Sequence, residues 1–141
     1  MSVGGGGGRE EFLAEGQEII EALSRDLLLL DQAQKDGDDE PELVNEVFRS
    51  VHTLKGIAGM FGYHQLGAVA HALEDLLDDL RLGRVKLSQE ILDVLFEGVE
   101  NFQRLLQTPS EEREIPFDME AYAASIESVS GEREAPSDDL A

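Results

Sequence analysis

Apolar residues recur along this chain at intervals of three and four positions, the spacing that draws a single stripe down an α-helix. From about Arg9 to Gln34 the stripe is Phe12, Ile19, Ile20, Leu23, Leu27 and Leu30. Lys35-Asp36-Gly37-Asp38 interrupts it, and Asp39, with Pro41 and Glu42 behind it, offers an N-cap and a capping-box partner for a second helix. That helix is predicted to run to about Phe61, with Leu43, Val44, Val47, Val51, Leu54, Ala58 and Phe61 on its core face and Gly62 as its stop. A third runs from about His64 to Leu82, carries Leu66, Val69, Ala70, Leu73, Leu76, Leu77 and Leu80 on one side, and ends at Gly83. Ser88 caps a fourth, whose Ile91, Leu92, Leu95, Val99, Phe102, Leu105 and Leu106 keep the period until Thr108-Pro109 halts it. A shorter fifth, from about Asp118 to Ser128, turns Met119, Tyr122 and Ile126 to one side.

Four long amphipathic helices with short connections pack antiparallel, because a short loop makes neighbours in sequence neighbours in space. The expected fold is all-α, an antiparallel four-helix bundle with a short fifth C-terminal helix. Its expected extent is residues 9–129. Residues 1–8, with Gly4 to Gly8, read as a flexible leader outside the fold, and residues 130–141 as a polar, acidic linker or tail.

Composition agrees with helices: aromatics are 6%, Trp is absent, and Leu, Ala, Val and Ile dominate the apolar set. Charge narrows the partners. Eleven Lys plus Arg against 31 Asp plus Glu leave a formal net charge of -20, which repels nucleic-acid phosphates and anionic membrane surfaces alike. With no cysteine, neither a disulfide framework nor a thiolate metal site is available, and a cytoplasmic setting fits. Met1-Ser2-Val3 lacks the apolar stretch of a signal peptide, and no window approaches the roughly 20 apolar residues of a membrane span.

The chemistry sits on the second helix. His52 shares a face with Phe48, Lys55, Gly56 and Gly59, and that face points away from Val47, Val51, Leu54 and Ala58, so the imidazole is predicted to stand at the bundle surface. Two glycines inside a helix are costly, at roughly 0.8 to 1 kcal/mol each relative to Ala. Either they clear space for another protein to approach His52, with Lys55 supplying positive charge for a phosphoryl group, or they let a neighbouring helix pack closely. Phe48, Ile57 and Met60 flank the histidine, as an apolar docking surface or as bundle lining. On the third helix His71 and Glu74 lie on the side away from the leucines, with Gly67, Ala68, Asp75 and Asp78. They form either a solvated pair or a pair reaching for a neighbouring helix, where a carboxylate bonded to one imidazole nitrogen makes the other the better nucleophile.

The segment from Phe48 to Gly62, with His52-Thr53-Leu54-Lys55-Gly56 at its centre and Ala58-Gly59-Met60-Phe61-Gly62 after it, resembles the acceptor box of histidine-phosphotransfer domains. More narrowly it is similar to the N-terminal P1 domain of CheA-type chemotaxis histidine kinases. That family carries a second histidine 19 positions after the first and a glutamate 22 positions after it, places held here by His71 and Glu74. The resemblance covers about Phe12 to Leu106. It implies that His52 is the phospho-acceptor, that Glu74 bonds its Nδ1 and leaves Nε2 to take the phosphoryl group, and that Lys55 and His71 flank it. His64, at the start of the third helix, reads as a surface or capping residue.

A domain of this kind is a carrier and not an enzyme alone, and the chain has no Gly-x-x-x-x-Gly-Lys-[Ser/Thr] loop for ATP. The resemblance implies a CheA-type ATP-binding kinase domain as donor and a response-regulator receiver Asp as acceptor. ATP then sits on the donor domain and Mg²⁺ on the kinase and receiver domains, with no cofactor bound by this one, which is expected to be monomeric by itself. Two other readings stand beside it: a metal-binding four-helix bundle using His52, His71 and nearby carboxylates, and an acidic helical adaptor. Di-iron bundles need Glu-x-x-His twice, whereas this chain has one His-x-x-Glu in the opposite order.

Overall fold

The protein is seen in a computed structural model that describes residues 3–107 and 116–130, and the regular elements among these are all helices. They are α1 (Val3–Asp36), α2 (Pro41–Phe61), α3 (His64–Arg81), α4 (Gln89–Gln107) and α5 (Met119–Ser130). The apolar stripes meet in one core, in which Phe12, Ile20, Leu23, Leu27, Leu30, Val47, Val51, Leu54, Leu66, Leu73, Leu76, Leu77, Leu92 and Phe102 are almost wholly enclosed. Helices α1 to α4 close a ring, each packed on the next and α4 back on α1, while α5 lies across α3 and α4.

The pairing is antiparallel. Phe12, early in α1, packs its ring at a tilt against Phe61 at the end of α2 and Tyr63 just beyond it, with ring centroids 5.2 and 4.3 Å away. Gly16 faces Leu106 near the end of α4. The turn between α2 and α3 is tight because Gly62 adopts φ 79°, a left-handed conformation that L side chains rarely take. Gly83, at φ 79°, makes the corresponding stop after α3. Helix α4 begins as its sequence predicts, the Ile91 amide donating to Ser88 Oγ at 3.2 Å. Helix α5 is capped by Asp118, whose Oδ1 accepts the Ala121 amide at 3.0 Å. It is anchored by buried Tyr122, whose hydroxyl donates to the Val94 carbonyl of α4 at 2.8 Å. Burial, reinforced by the charge of Glu97, pushes that phenol well above its ordinary pKa, so it remains a donor.

Several boundaries differ from the sequence reading. Helix α1 starts at Val3 and not near Arg9, so Gly4 to Gly8, set aside as a flexible leader, continue the helix. Glycine costs roughly 1 kcal/mol relative to Ala even within a formed helix, so propensity does not account for this start; at Gly8 the run lies beside the Phe61 ring. Helix α2 has Glu40 and not Asp39 at its N-cap, with no side-chain cap bond; Pro41 at its first turn presets φ and has no N–H to satisfy. The expected stop at Thr108-Pro109 and residues 131–141 of the expected tail lie outside the described residues, as do Met1 and Ser2, whereas Ser130, assigned to that tail, is the last residue of α5. No helix among the described residues is long and apolar enough to cross a membrane.

Candidate functional site

Because α2 and α3 run antiparallel about the Gly62-Tyr63 turn, each step back along α2 is matched by a step forward along α3. His52 thus comes opposite Glu74, and Phe48 meets the end of α3 at Arg81. On α2 the buried face is Val47, Val51, Leu54 and Ala58, as its spacing requires, and this turns His52 outward with its side chain 61% exposed.

Glu74, only 12% exposed, joins the two helices. One carboxylate oxygen, Oε2, forms a short hydrogen bond with Nδ1 of His52, and the other, Oε1, accepts from Lys55 Nζ at 2.5 Å. Burial pushes the Glu74 carboxyl up, but the hydrogen bonds from Lys55 and then His52, together with their charges, outweigh it and hold the group below its ordinary pKa. An ionised carboxylate can only accept, so the proton in the shared bond belongs to Nδ1 of the imidazole. Nε2 then carries the lone pair, on a ring open to solvent. Lys55 has three donor positions and uses one on Glu74, which leaves two for an anion arriving beside His52.

The sequence-predicted residues separate into those brought together and those not. His52, Lys55 and Glu74 form one bonded group. His71, one turn before Glu74 on the same side of α3, makes no hydrogen bond to them and instead pairs loosely with Asp75 at 3.8 Å. Gly56 and Gly59 face open space: a Cβ at either would meet nothing within 4 Å. Of the two explanations for these glycines, close helix packing therefore has no contact behind it among the described residues. Met60 is 77% exposed, whereas Phe48 is half-buried against the core and its ring lies parallel to that of His52, 6.1 Å between centroids and 6° between planes. His64 is exposed at the first position of α3.

Sequence reasoning passed over Arg81. Its guanidinium sits 4.4 Å above the centre of the Phe48 ring and donates to Asp78 Oδ1 at 2.6 Å. The available signal was the helix register, which sets the end of α3 beside the start of α2. Among the described residues no three His, Asp or Glu side chains are grouped so that they could hold a metal ion, so the metal-binding reading has no cluster to rest on.

Comparison with known proteins decides the family. The family model described as "Hpt domain" matches residues 8–108, well over half of the chain. The chain belongs to the Hpt-domain family. Its Hpt match spans α1 from Gly8 through α4, so α5 lies beyond it. The domain is similar to the chemotaxis protein CheA of Halobacterium salinarum, 34% identical over 127 residues that make up 87% of this chain and 18% of that protein. It is also 38% identical to CheA of Cereibacter sphaeroides over 130 residues, 90% of this chain and again 18% of that protein. The solution structure of the histidine phosphotransfer domain of CheA superposes with a TM-score of 0.71 at 30% identity, covering 84% of this chain and 88% of that one. This is a histidine-phosphotransfer domain of the CheA type, and it spans less than a fifth of the length of the curated relatives it matches.

Proposed function

We propose that His52 is the phosphoryl acceptor of this Hpt domain and that Glu74, Lys55 and His71 serve it. The observation that carries the reading is the bond from Nδ1 of exposed His52 to ionised Glu74, which leaves Nε2 as the free nucleophile. The donor is a CheA-type ATP-binding kinase domain, which holds ATP and its Mg²⁺; a CheA-type kinase is the enzyme of which this domain is the carrier. The Nε2 lone pair forms a bond to the γ-phosphorus as the bond from that phosphorus to the ADP oxygen breaks, and ADP leaves. Positive charge grows on the ring as the new bond forms, and Glu74, already holding the Nδ1 proton, stabilises it. Lys55, with His71 one turn before Glu74 on α3, offsets the phosphoryl charge in a chain of formal net charge -20.

The acceptor is the Asp of a response-regulator receiver domain. Its carboxylate oxygen attacks phosphorus, the N–P bond breaks, and the electron pair returns to Nε2. The receiver supplies its own Mg²⁺, and this pairing of partners belongs to the cytoplasm. Gly56, Gly59 and exposed Met60 form the open ground on which either partner's active site approaches. Incubation with a CheA-type ATP-binding domain and ATP is expected to place an acid-labile, base-stable phosphate on the chain, and His52→Gln to abolish it. Label that persists in His52→Gln, on His71 or His64, overturns the assignment.

A further inference from the structure

Glu74 holds the imidazole of His52 at a single atom, and a ring held at one atom can still swivel about that bond. A second constraint comes from the other side. Phe48, one turn before His52 on α2, presents its ring parallel to the imidazole at a centroid distance of 6.1 Å, within the range of offset ring stacking. Phe48 is itself fixed twice: its inner edge packs on the core, and the Arg81 guanidinium covers its ring at 4.4 Å. Arg81 is held in turn by Asp78 at 2.6 Å, one turn after Glu74 on the same side of α3. Two parallel crosslinks therefore span α2 and α3: Glu74 with His52 and Lys55, and, one turn away, Asp78 and Arg81 with Phe48.

We propose that Phe48, clamped by Arg81, is a positioning residue for His52: it holds the imidazole plane so that Nδ1 stays on Glu74 and Nε2 stays aimed at the incoming phosphorus. This rests on the reading of His52 as acceptor, and it sets aside the docking role that the sequence had left open for Phe48 beside bundle lining. Neither Phe48 nor Arg81 touches the reacting atoms. Their effect falls on the orientation of the nucleophile, which governs how often a bound donor meets an aligned lone pair.

The test uses two donors on the 141-residue chain. Phosphoramidate is a small donor with no docking surface: the Nε2–P bond forms as the P–N bond of the donor breaks, ammonia leaves and takes up a proton from solvent, and the ring keeps its Nδ1 proton on Glu74. The CheA-type ATP-binding domain with ATP is the donor that must dock. Phe48→Leu is expected to lower the phosphoramidate rate and the kinase-domain kcat by the same factor, between about three- and thirtyfold, with KM unchanged. Phe48→Tyr, which keeps the ring, restores both, and Arg81→Met produces a smaller loss of the same kind. In proton and nitrogen NMR the His52 ring of the parent chain shows one tautomer and ring-current-shifted protons, and Arg81→Met moves those protons toward the values of free histidine.

An unchanged phosphoramidate rate in Phe48→Leu overturns the proposal. If KM for the kinase domain then rises, Phe48 is a docking contact after all. His52 ring protons that do not respond to Arg81→Met overturn the clamp. The NMR arm reads ring order whether or not any phosphate is transferred, so a failure of His52 as acceptor, seen as label surviving in His52→Gln, is distinct from a failure of Phe48 as its positioner. Denaturant midpoints of the three variants confirm that the rates compare folded proteins.

Discussion

A carboxylate taken most of the way out of water normally gains affinity for its proton, and Glu74 goes the other way because two donors converge on it. The arrangement has a price in acid. A carboxyl whose pKa is lower folded than unfolded contributes stability that is fully present above the unfolded value, about 4.3 for Glu, and that disappears as pH falls through the folded value. Glu74→Gln keeps an acceptor oxygen for His52 but cannot titrate. The denaturant midpoint of the parent chain should therefore exceed that of Glu74→Gln most clearly near neutral pH, and the gap should close as pH drops from about 5 toward 2. A gap of constant size across that range would show that the pairing with Lys55 and His52 does not depress the Glu74 pKa. Phosphoryl uptake should also slow in Glu74→Gln, since the neutral amide cannot offset charge growing on the ring.

At the scale of the helix the same residue type has opposite meanings on α2 and α4. A Cβ at Gly59 meets nothing within 4 Å, whereas one at Gly98 would fall 2.5 Å from Leu73 Cδ1 and 2.6 Å from the Tyr122 hydroxyl. Replacing either glycine by Ala gains up to about 1 kcal/mol of helix propensity. At Gly98 that gain is set against an overpacking cost of about 1 to 3 kcal/mol, because Leu73 is enclosed and Tyr122 is tied to Val94. Gly59→Ala should raise the denaturant midpoint and Gly98→Ala should lower it, and the larger Gly59→Leu should keep its midpoint while losing transfer from the kinase domain. A lowered midpoint for Gly59→Leu would restore the packing explanation for that residue. The contrast also marks how far the sequence could be read. Helix periods, the outward face of His52 and the spacing to Glu74 are properties of single helices, or of a motif of fixed spacing, and they were legible. Gly98 and the placing of Arg81 over Phe48 depend on which residues meet across two helices, and periodicity on one helix does not carry that register. The early start of α1 escaped for a different reason, since it runs against the helix propensity of glycine, which was all the sequence offered there.

Over the whole molecule, acidic residues outnumber basic ones by 31 to 11, and folding gathers that charge into a small volume. The ion pairs that relieve it lie mostly within single helices: Lys35 with Asp31, Arg49 with Glu46, Arg81 with Asp78. Exposed pairs of this kind contribute at most about 0.5 kcal/mol each, and salt weakens them. Salt weakens the general repulsion too, and at about 10 mM the screening length near 30 Å spans much of a domain this size, against about 8 Å at 150 mM. With so few cations the repulsion is the larger effect, so the thermal midpoint should rise between those two salt concentrations; a fall would mean that the local pairs dominate. The same field bears on the carrier role proposed for His52. A phosphoryl group adds close to two further negative charges, and among the described residues Lys55 is the cation bonded within the site to meet them, already shared with Glu74. Holding the group is thus made less favourable by the surrounding acidity, most strongly at low salt. The domain should release the phosphoryl group to a receiver more completely at 10 mM than at 150 mM, provided the receiver's own Mg²⁺ is kept saturating.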